Sequence, residues 1–277
     1  MVNDLNKAFT TADTEDTEGA QRVKSSIKVK RSNRRVIKAG CCGFRMSQAE
    51  YAARFPVVEV QQTFYQPPQV KTLERWRADA PPAFEFTLKA WQLITHEARS
   101  PTYRRLKREL TETEKEESGS FRPTAIVQEA WEVTLACVEA LRAGRVLFQC
   151  PSSFTPTREH VSDLRAFFAR IERPRNLSCL WEPRGNWPAE LIAELCRELD
   201  LTHVVDPFAA RTLTPERCYY RLHGRTGWRY QYEEDELAEL ITMLPRAGVS
   251  YVLFNNVRML DDAARFQELT REREEEA

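Results

Sequence analysis

The sequence is poor in the residues that mark several functional classes. Its 277 residues include four histidines and nine glycines, and 41 basic residues balance 41 acidic ones. A zero net charge argues against a dedicated nucleic-acid packaging protein, and four histidines are too few for a typical multi-zinc site. No apolar run approaches the about 20 residues that a membrane helix needs, and the polar N-terminus lacks the apolar segment of a secretory signal. A membrane partner is therefore not expected.

The seven cysteines show no pattern of a metal site or a disulfide framework. Their number is odd, and neither CxxC nor CxxH spacing occurs. This usage is typical of a reducing compartment, so we expect a cytoplasmic location. Cys41, Cys150 and Cys179 lie in or just after predicted strands. A reactive thiol there is a minor alternative, because a nucleophile needs a base partner.

The first 35 residues are predicted to form a disordered tail. Residues 1–20 hold five acidic residues and one lysine, whereas 21–38 hold eight basic residues and no acidic one. Such a segment cannot bury enough apolar surface to offset its ordering entropy. The alternative is a basic arm over 21–38 that binds nucleic acid or another polyanion. Residues 36–277 are predicted to form a single domain.

From Val36 onward, short apolar strands alternate with amphipathic helices. The predicted strands are 36–40, 57–61, 84–89, 145–149, 177–182, 202–206, 217–223 and 250–255. Eight such units predict an α/β fold of the (β/α)8 TIM-barrel type. The segment 207–216 is too short and proline-marked for a full helix, so the sixth helix is expected to be truncated. An open doubly wound sheet is the alternative, but residues 40–43 do not form a GxGxxG loop.

A long segment over 97–122 separates the third predicted strand from its helix. Residues 103–117 contain no glycine or proline and place Tyr103, Leu106 and Leu110 at helical spacing. Loops of this length are usually functional or disordered. We expect an inserted helical segment, either a solvated helix or a lid, since a loop after a barrel strand emerges on the active-site face.

Side-chain alternation along the strands directs polar groups into the barrel mouth. Glu59 and Gln61 alternate onto the same side of the second strand, the side expected to face the barrel mouth. Lys89 lies on the corresponding side of the third strand, and Arg221 and His223 lie on that side of the seventh. Other strands end in the polar side chains Gln149, Glu182, Asp206, Asn255 and Asn256. Barrel enzymes place their sites at this face, so a site is predicted here. A purely structural ion-pair network is the alternative, because lone buried charges are costly.

The chemistry of these side chains suggests their roles. Glu59 and Glu182 are the candidate acid and base carboxylates, and His96 and His223 are candidate proton carriers. The predicted ligand-binding groups are Lys89, Arg184, Arg221, Gln149 and Asn255, with walls formed by Phe64, Tyr65, Trp187 and Tyr230. The sequence implies no particular cofactor. A divalent metal held by Asp206, Glu182 and His223 is a weaker alternative, because neither HxH nor HExxH occurs.

Motifs in colinear order resemble those of a known family. They begin with Gly40 and Gly43 and end with Phe254-Asn255-Asn256. Between these lie Val58-Glu59-Val60, Thr63-Phe64-Tyr65, Phe84-x-Phe86 with Lys89, Ile94-Thr95-His96, Leu147-Phe148-Gln149-Cys150-Pro151, Trp181-Glu182-Pro183-Arg184 with Trp187, and Tyr220-Arg221-Leu222-His223-Gly224-Arg225 with Tyr230. Over residues 36–270 the chain resembles the YecE-like family, domain-of-unknown-function family seventy-two. The resemblance implies a TIM barrel and no established reaction.

The chain departs from the family pattern at several positions. Phe44 stands where the family usually has tryptophan, and Gln61 stands where it has asparagine. Val257 follows the paired asparagines where the family usually has glycine. These changes affect the contour of the pocket and leave the expected barrel intact.

These features favour an enzyme of hydrolase or isomerase type. Its ligand is expected to be anionic, bearing a phosphate or a carboxylate, because two carboxylates beside three cations suit such chemistry. The first alternative is a nucleic-acid-binding protein with or without nuclease activity, supported by aromatic residues among cations. The second is a non-catalytic barrel whose mouth holds only salt bridges. The sequence leaves the oligomeric state open.

Overall fold

The computed structural model describes residues 35–275. The predicted tail and nearly all of its basic arm lie outside the described residues, so both stay predictions. The end of the basic segment, residues 35–38, forms the start of the first strand. Within 35–275, no helix is both long and apolar enough to cross a membrane.

Eight parallel strands form the centre of the fold. They are β1 (Arg35–Cys41), β2 (Val57–Val60), β3 (Glu85–Lys89), β4 (Arg145–Gln149), β5 (Ser178–Glu182), β6 (Leu201–His203), β7 (Cys218–Leu222) and β8 (Gly248–Phe254). All eight predicted strands are confirmed, with ends displaced by a few residues. Most strand residues are buried on both faces, as expected for parallel strands covered by helices.

The strands close into a nearly complete barrel. Each strand from β1 to β5 pairs with the next, β1 also pairs with β8, and β8 pairs with β7. β6 and β7 meet through an isolated parallel bridge between Val205 and Tyr220. There the Arg221 amide donates a 3.0 Å hydrogen bond to the Val205 carbonyl. The (β/α)8 barrel is confirmed, and the open doubly wound alternative is wrong because its edge strands would not meet.

Helices occupy most of the connections between strands. They are α1 (Gln48–Arg54), α2 (Gln62–Tyr65), α3 (Val70–Asp79), α4 (Gln92–Thr95), α5 (Glu112–Glu117), α6 (Ala125–Leu141), α7 (Arg158–Arg170), α8 (Ala189–Glu198), α9 (Glu234–Met243) and α10 (Met259–Glu275). Between β6 and β7, a fully described stretch, the chain forms turns and no helix. Two threonines hold these turns, since Thr212 donates to the His203 carbonyl and Thr214 accepts from the His203 amide. The expected truncation of the sixth helix is therefore confirmed.

The barrel interior and the helix layer hold different side chains. The interior cluster consists of Cys42, Val57, Leu147, Leu180, Val204, Tyr219, Tyr251 and Leu253. Val58 and Val60, of the opposite parity, belong to the larger cluster between strands and helices. Glu59 has the parity of Val57, lies one step nearer the mouth and is fully buried. The period-two alternation thus carries polar side chains from an apolar interior into the mouth.

The 97–122 insertion is helical, but in two pieces. A 3-10 helix over Pro101–Arg105 and α5 are separated by an irregular stretch, so the chain does not form one run over 103–117. Thr111 begins α5 through a capping box with Glu114, in which each side chain accepts a hydrogen bond from the other residue's amide. This new start signal lies in the middle of the predicted run, which explains why the run is interrupted.

Gly119 permits the close approach of the insertion to the loop after β3. Its φ is +81°, and an added Cβ would lie 2.4 Å from the His96 carbonyl carbon. We expect Gly119→Ala to lower the free energy of unfolding by about 1–3 kcal/mol, measured by urea denaturation. Gly248→Ala is the matched control, because Gly248 has φ +84° and nothing within 4 Å of the added Cβ. Equal losses in the two variants would contradict the steric explanation.

Candidate active site

A cavity of about 760 Å³ opens at the carboxyl ends of the strands. Its lining includes four cationic side chains, Arg45, Lys89, Arg105 and Arg184. Among the residues that the structure describes, no aspartate or glutamate lines it. The volume lies in the range typical of small-molecule sites, and the lining favours a negatively charged occupant.

Beneath this cavity, Arg221 joins two carboxylates in a buried network. Its Nη2 donates to Glu59 Oε1 at 2.8 Å, and its Nη1 donates to Glu182 Oε2 at 2.5 Å. Tyr219 donates to the second oxygen of Glu59 at 2.8 Å. Arg184 Nε donates to the second oxygen of Glu182 at 2.7 Å. All four carboxylate oxygens therefore have hydrogen-bond partners within the protein.

Glu182 and Arg221 are held in their ionised forms. Burial raises the pKa of Glu182, but the Arg221 and Arg184 guanidinium groups outweigh burial and lower that pKa to about 2. Burial lowers the pKa of Arg221, but the carboxylates of Glu182 and Glu59 raise it well above its ordinary value. Arg221 is therefore charged, and its charge is already matched by protein carboxylates rather than offered to a ligand.

Lys89, at the end of β3, differs from the other cations of the mouth. It lines the cavity and is 4% exposed. Its Nζ lies 3.4 Å from the centroid of the Phe64 ring, and among residues 35–275 it has no hydrogen-bond or ion-pair partner. Burial lowers its pKa to about 7, and the charge of Arg221 adds to this effect. Lys89 therefore presents an unpaired amine that loses its proton near neutral pH.

The two predicted proton carriers have different environments. His223 Nε2 accepts a 2.7 Å hydrogen bond from Arg184 Nη2. His96 lies against the Phe64 ring, with ring centroids 4.9 Å apart, and burial lowers its pKa to about 3. His96 is therefore a neutral imidazole at physiological pH, and we expect no donation from an imidazolium there.

The three side chains of the weaker metal alternative do not surround one point. His223 Nδ1 lies 3.8 Å from Asp206 Oδ2, whereas its Nε2 lies 3.9 Å from Glu182 Oε1. The two carboxylates thus face opposite edges of the imidazole ring. Among the described residues, no group of three or more His, Cys, Asp or Glu side chains is arranged to hold a metal ion.

The remaining predicted binding residues divide between the cavity and other places. The cavity is lined by Phe64, Tyr65, Gln149 and Asn255. Trp187 lies outside its lining, where the indole Nε1 donates to the Phe154 carbonyl at 2.7 Å and the ring packs edge-on against Trp181. Tyr230 also lies outside it and donates to Glu236 at 2.8 Å. Each of these two rings has a hydrogen bond to a residue that does not line the cavity.

The motifs and the barrel can be compared with known proteins. The family model described as Protein of unknown function DUF72 matches residues 45–277. This chain belongs to the DUF72 family. The resemblance seen in the motifs is thereby confirmed.

Relatives of this DUF72 protein match most of the chain. The UPF0759 protein YunF of Bacillus subtilis (strain 168) is 25% identical over 242 residues, which cover 74% of this chain and 79% of YunF. A DUF72 protein of Enterococcus faecalis V583 has a TM-score of 0.67 at 22% identity, over 87% of this chain and 99% of its own. A DUF72 protein of Thermotoga maritima MSB8 has a TM-score of 0.62 at 21% identity, over 85% and 99%. These structural likenesses show the fold alone.

Three side chains of this DUF72 protein belong to the cavity or to the network beneath it, although none of them had a predicted role in the site. Arg105 comes from the insertion and places its guanidinium 3.5 Å from the centroid of the Tyr65 ring. Trp228, in the loop after β7, lines the cavity and is 58% exposed. Tyr219 lies in the buried network and has the parity of Arg221, which is a signal that the sequence did contain. Arg105 and Trp228 lie on connecting segments, and the path of such segments cannot be predicted from the periodicity of strands or helices.

Proposed function

We propose that this protein is an enzyme of hydrolase or isomerase type that acts on a small anionic ligand in the barrel mouth. The ligand bears a phosphate or a carboxylate. The observation that carries the proposal is the charge of the cavity, which is lined by Arg45, Lys89, Arg105 and Arg184 and by no carboxylate of the described residues. Positive charge at a partly enclosed site raises the local concentration of anions.

Pairing within the protein leaves part of this charge available. Arg221 is matched by two carboxylates, and Arg184 pairs with Glu182. Within 35–275, Arg45 and Arg105 form no ion pair. Arg105 lies over the Tyr65 ring, which orients the guanidinium without neutralising it. A ligand anion would therefore meet arginine groups whose planar donors match a phosphate or a carboxylate.

Proton transfer would depend on the contact between Arg184 and His223. Arg184 Nη2 donates to His223 Nε2 at 2.7 Å, so this nitrogen is engaged in the free protein. An anion that draws the Arg184 group toward itself would free the lone pair of His223 Nε2 to accept a substrate proton. Ligand binding and base activation would thus be one event, with the Glu182 carboxylate holding Arg184 from the other side.

Binding of inorganic phosphate tests the proposal. We expect Arg105→Gln to weaken phosphate binding about tenfold, because a hydrogen bond to a charged group contributes about 1.5–3 kcal/mol. Titration calorimetry at constant ionic strength measures it. Arg75→Gln is the matched control, since Arg75 is equally exposed but lies on α3, outside the cavity lining. Equal effects of the two variants, or no binding of phosphate or citrate by the wild type, would contradict the proposal.

The exposed Trp228 favours nucleic acid as a second candidate ligand. Its indole lies at the cavity, and the Arg229 guanidinium lies 5.6 Å from its ring centroid. Aromatic rings beside cations stack nucleic-acid bases while the cations contact phosphates. Labelled single- and double-stranded DNA and RNA, titrated across a salt series, separate the two candidates. Binding that does not depend on salt concentration and is unchanged by Trp228→Ala would exclude nucleic acid as the ligand, since phosphate contacts release counterions.

A further inference from the structure

We infer that Lys89 is a nucleophile, and that the ligand carries an aldehyde or ketone with which the Lys89 amine forms an imine. This inference deepens the proposed function and rests on it. The ligand class is then a small carbonyl compound that also bears a phosphate or a carboxylate.

Lys89 is positioned but not paired. β3 holds its backbone, with Lys89 in register with Leu147 of β4 and its carbonyl accepting from Thr63 Oγ1 at 2.7 Å. The face of Phe64 lies 3.4 Å from Nζ and limits where the amine can move. These contacts therefore position Nζ at the cavity without giving it a hydrogen-bond or ion-pair partner within 35–275.

The nearby carboxylates are already bonded to other donors. Both oxygens of Glu59 and both oxygens of Glu182 accept from other side chains, one oxygen of each from Arg221. A lysine whose role is only structural is expected to have such a partner, because an unpaired buried ammonium is costly. Here the carboxylates pair with Arg221, and Lys89 lines the cavity without such a partner among the described residues. An amine in this position is available to react with a ligand.

The charges around Lys89 make its amine reactive near neutral pH. The titratable groups that face it are Arg221, Glu182, Glu59, Arg184, His96 and Cys150. Burial and the Arg221 charge together lower the pKa of Lys89 to about 7, although the two carboxylates oppose this change. The free base is then accessible near neutral pH. An unpaired amine of this kind can attack a carbonyl carbon.

The step balances without a redox partner. The nitrogen lone pair adds to the carbonyl carbon, a C–N bond forms, and the carbonyl π electrons become a lone pair on oxygen. Both hydrogens of the amine finally leave with that oxygen as water, and a C=N bond remains. Arginine groups that line the same cavity, such as Arg184 and Arg105, would hold the anionic end of the ligand while this happens.

Pyridoxal 5′-phosphate is the probe that tests the inference, because it joins an aldehyde to a phosphate. The full chain is incubated with it at pH 7, reduced with borohydride to fix any imine, and mapped by peptide mass spectrometry. We expect Lys89 to be labelled more than tenfold faster than the exposed Lys71 and Lys107. The labelling rate should reach half its maximum near pH 7. Lys89→Arg, which keeps the charge, should lose this label.

The outcomes separate this inference from the proposed function. Selective labelling of Lys89 that inorganic phosphate suppresses supports both. Equal labelling by pyridoxal, which lacks the phosphate, supports the imine and overturns the anion site. Phosphate binding that Arg105→Gln weakens, together with Lys89 labelled no faster than Lys71, overturns the imine and leaves the proposed function standing. A label pattern unchanged in Lys89→Arg also overturns the imine.

Discussion

Replacing Arg221 with methionine is expected to lower the free energy of unfolding by about 3–5 kcal/mol. The substitution keeps most of the volume but removes the guanidinium that neutralises Glu59 and Glu182. Both carboxylates are buried, and both would then be left without their principal partner. Removing one member of a buried ion pair is far more costly than replacing the whole pair, because the remaining charge is left without compensation.

Urea denaturation at pH 7 measures this loss, and Arg184→Met is the matched control. Arg184 binds the same Glu182 carboxylate at 2.7 Å, but its side chain is 39% exposed. Solvent screens exposed pairs, so we expect the control to lose about 1 kcal/mol or less. An Arg221→Met variant as stable as Arg184→Met would show that the buried network does not hold the barrel together.

The pH dependence of the Arg221→Met variant provides a second signature. In the wild type the pKa of Glu182 is about 2, below its ordinary value of 4.5. Its contribution to stability is therefore complete above pH 4.5 and is lost as the pH falls toward 2. Without Arg221, burial is opposed mainly by Arg184, so the pKa of Glu182 should rise from its wild-type value. The variant should therefore lose less stability than the wild type as the pH falls from 4.5 toward 2, measured by urea titrations over that range.

Stability alone does not separate an enzyme from a non-catalytic barrel. If the mouth is only a salt-bridge network, Glu182→Ala should also lower the free energy of unfolding strongly. In that case, however, the folded Glu182→Ala protein should bind ligands as the wild type does. Our proposal expects phosphate binding to change in that variant, because Glu182 positions Arg184 at the cavity.

Replacing Lys89 with methionine is expected to stabilise the protein at pH 7 while it abolishes imine formation. Lys89 is buried without a partner, and its pKa falls from 10.5 to about 7 on folding. Lowering a pKa by one corresponds to about 1.4 kcal/mol, and the Phe64 ring offsets part of the penalty, so we expect a gain on the order of 2–4 kcal/mol. A residue retained at the expense of stability is typical of functional sites.

The stability difference between Lys89→Met and the wild type depends on pH. Between pH 7 and pH 10.5 the unfolded chain holds a proton on Lys89 that the folded chain does not. The wild type therefore gains stability over this range, and the advantage of Lys89→Met shrinks as the pH rises. Lys71→Met, at an exposed position of α3, should change stability by about 0.5 kcal/mol or less at every pH. A Lys89→Met variant less stable than the wild type would show that Lys89 has a structural role.

The amino-acid sequence by itself determined the barrel and the direction of its polar side chains. Strands that alternate with helices pair in parallel, and a period of two sends Glu59 and its counterparts on other strands to one side of the sheet. Proline and short length likewise predicted that no full helix would follow β6. These signals are local, since each depends on residues a few positions apart.

Only the tertiary structure decided which of those side chains are paired and which are free. Arg221 reaches Glu59 and Glu182 from strands that are far away in the chain and close in the closed barrel. Lys89 has the same parity and is left alone, and no periodic pattern distinguishes it from Arg221. Loop paths also decided which side chains line the cavity, because they brought Arg105 to it and left Trp187 outside its lining. Pairing depends on distances between side chains, and those distances exist only after the barrel has closed.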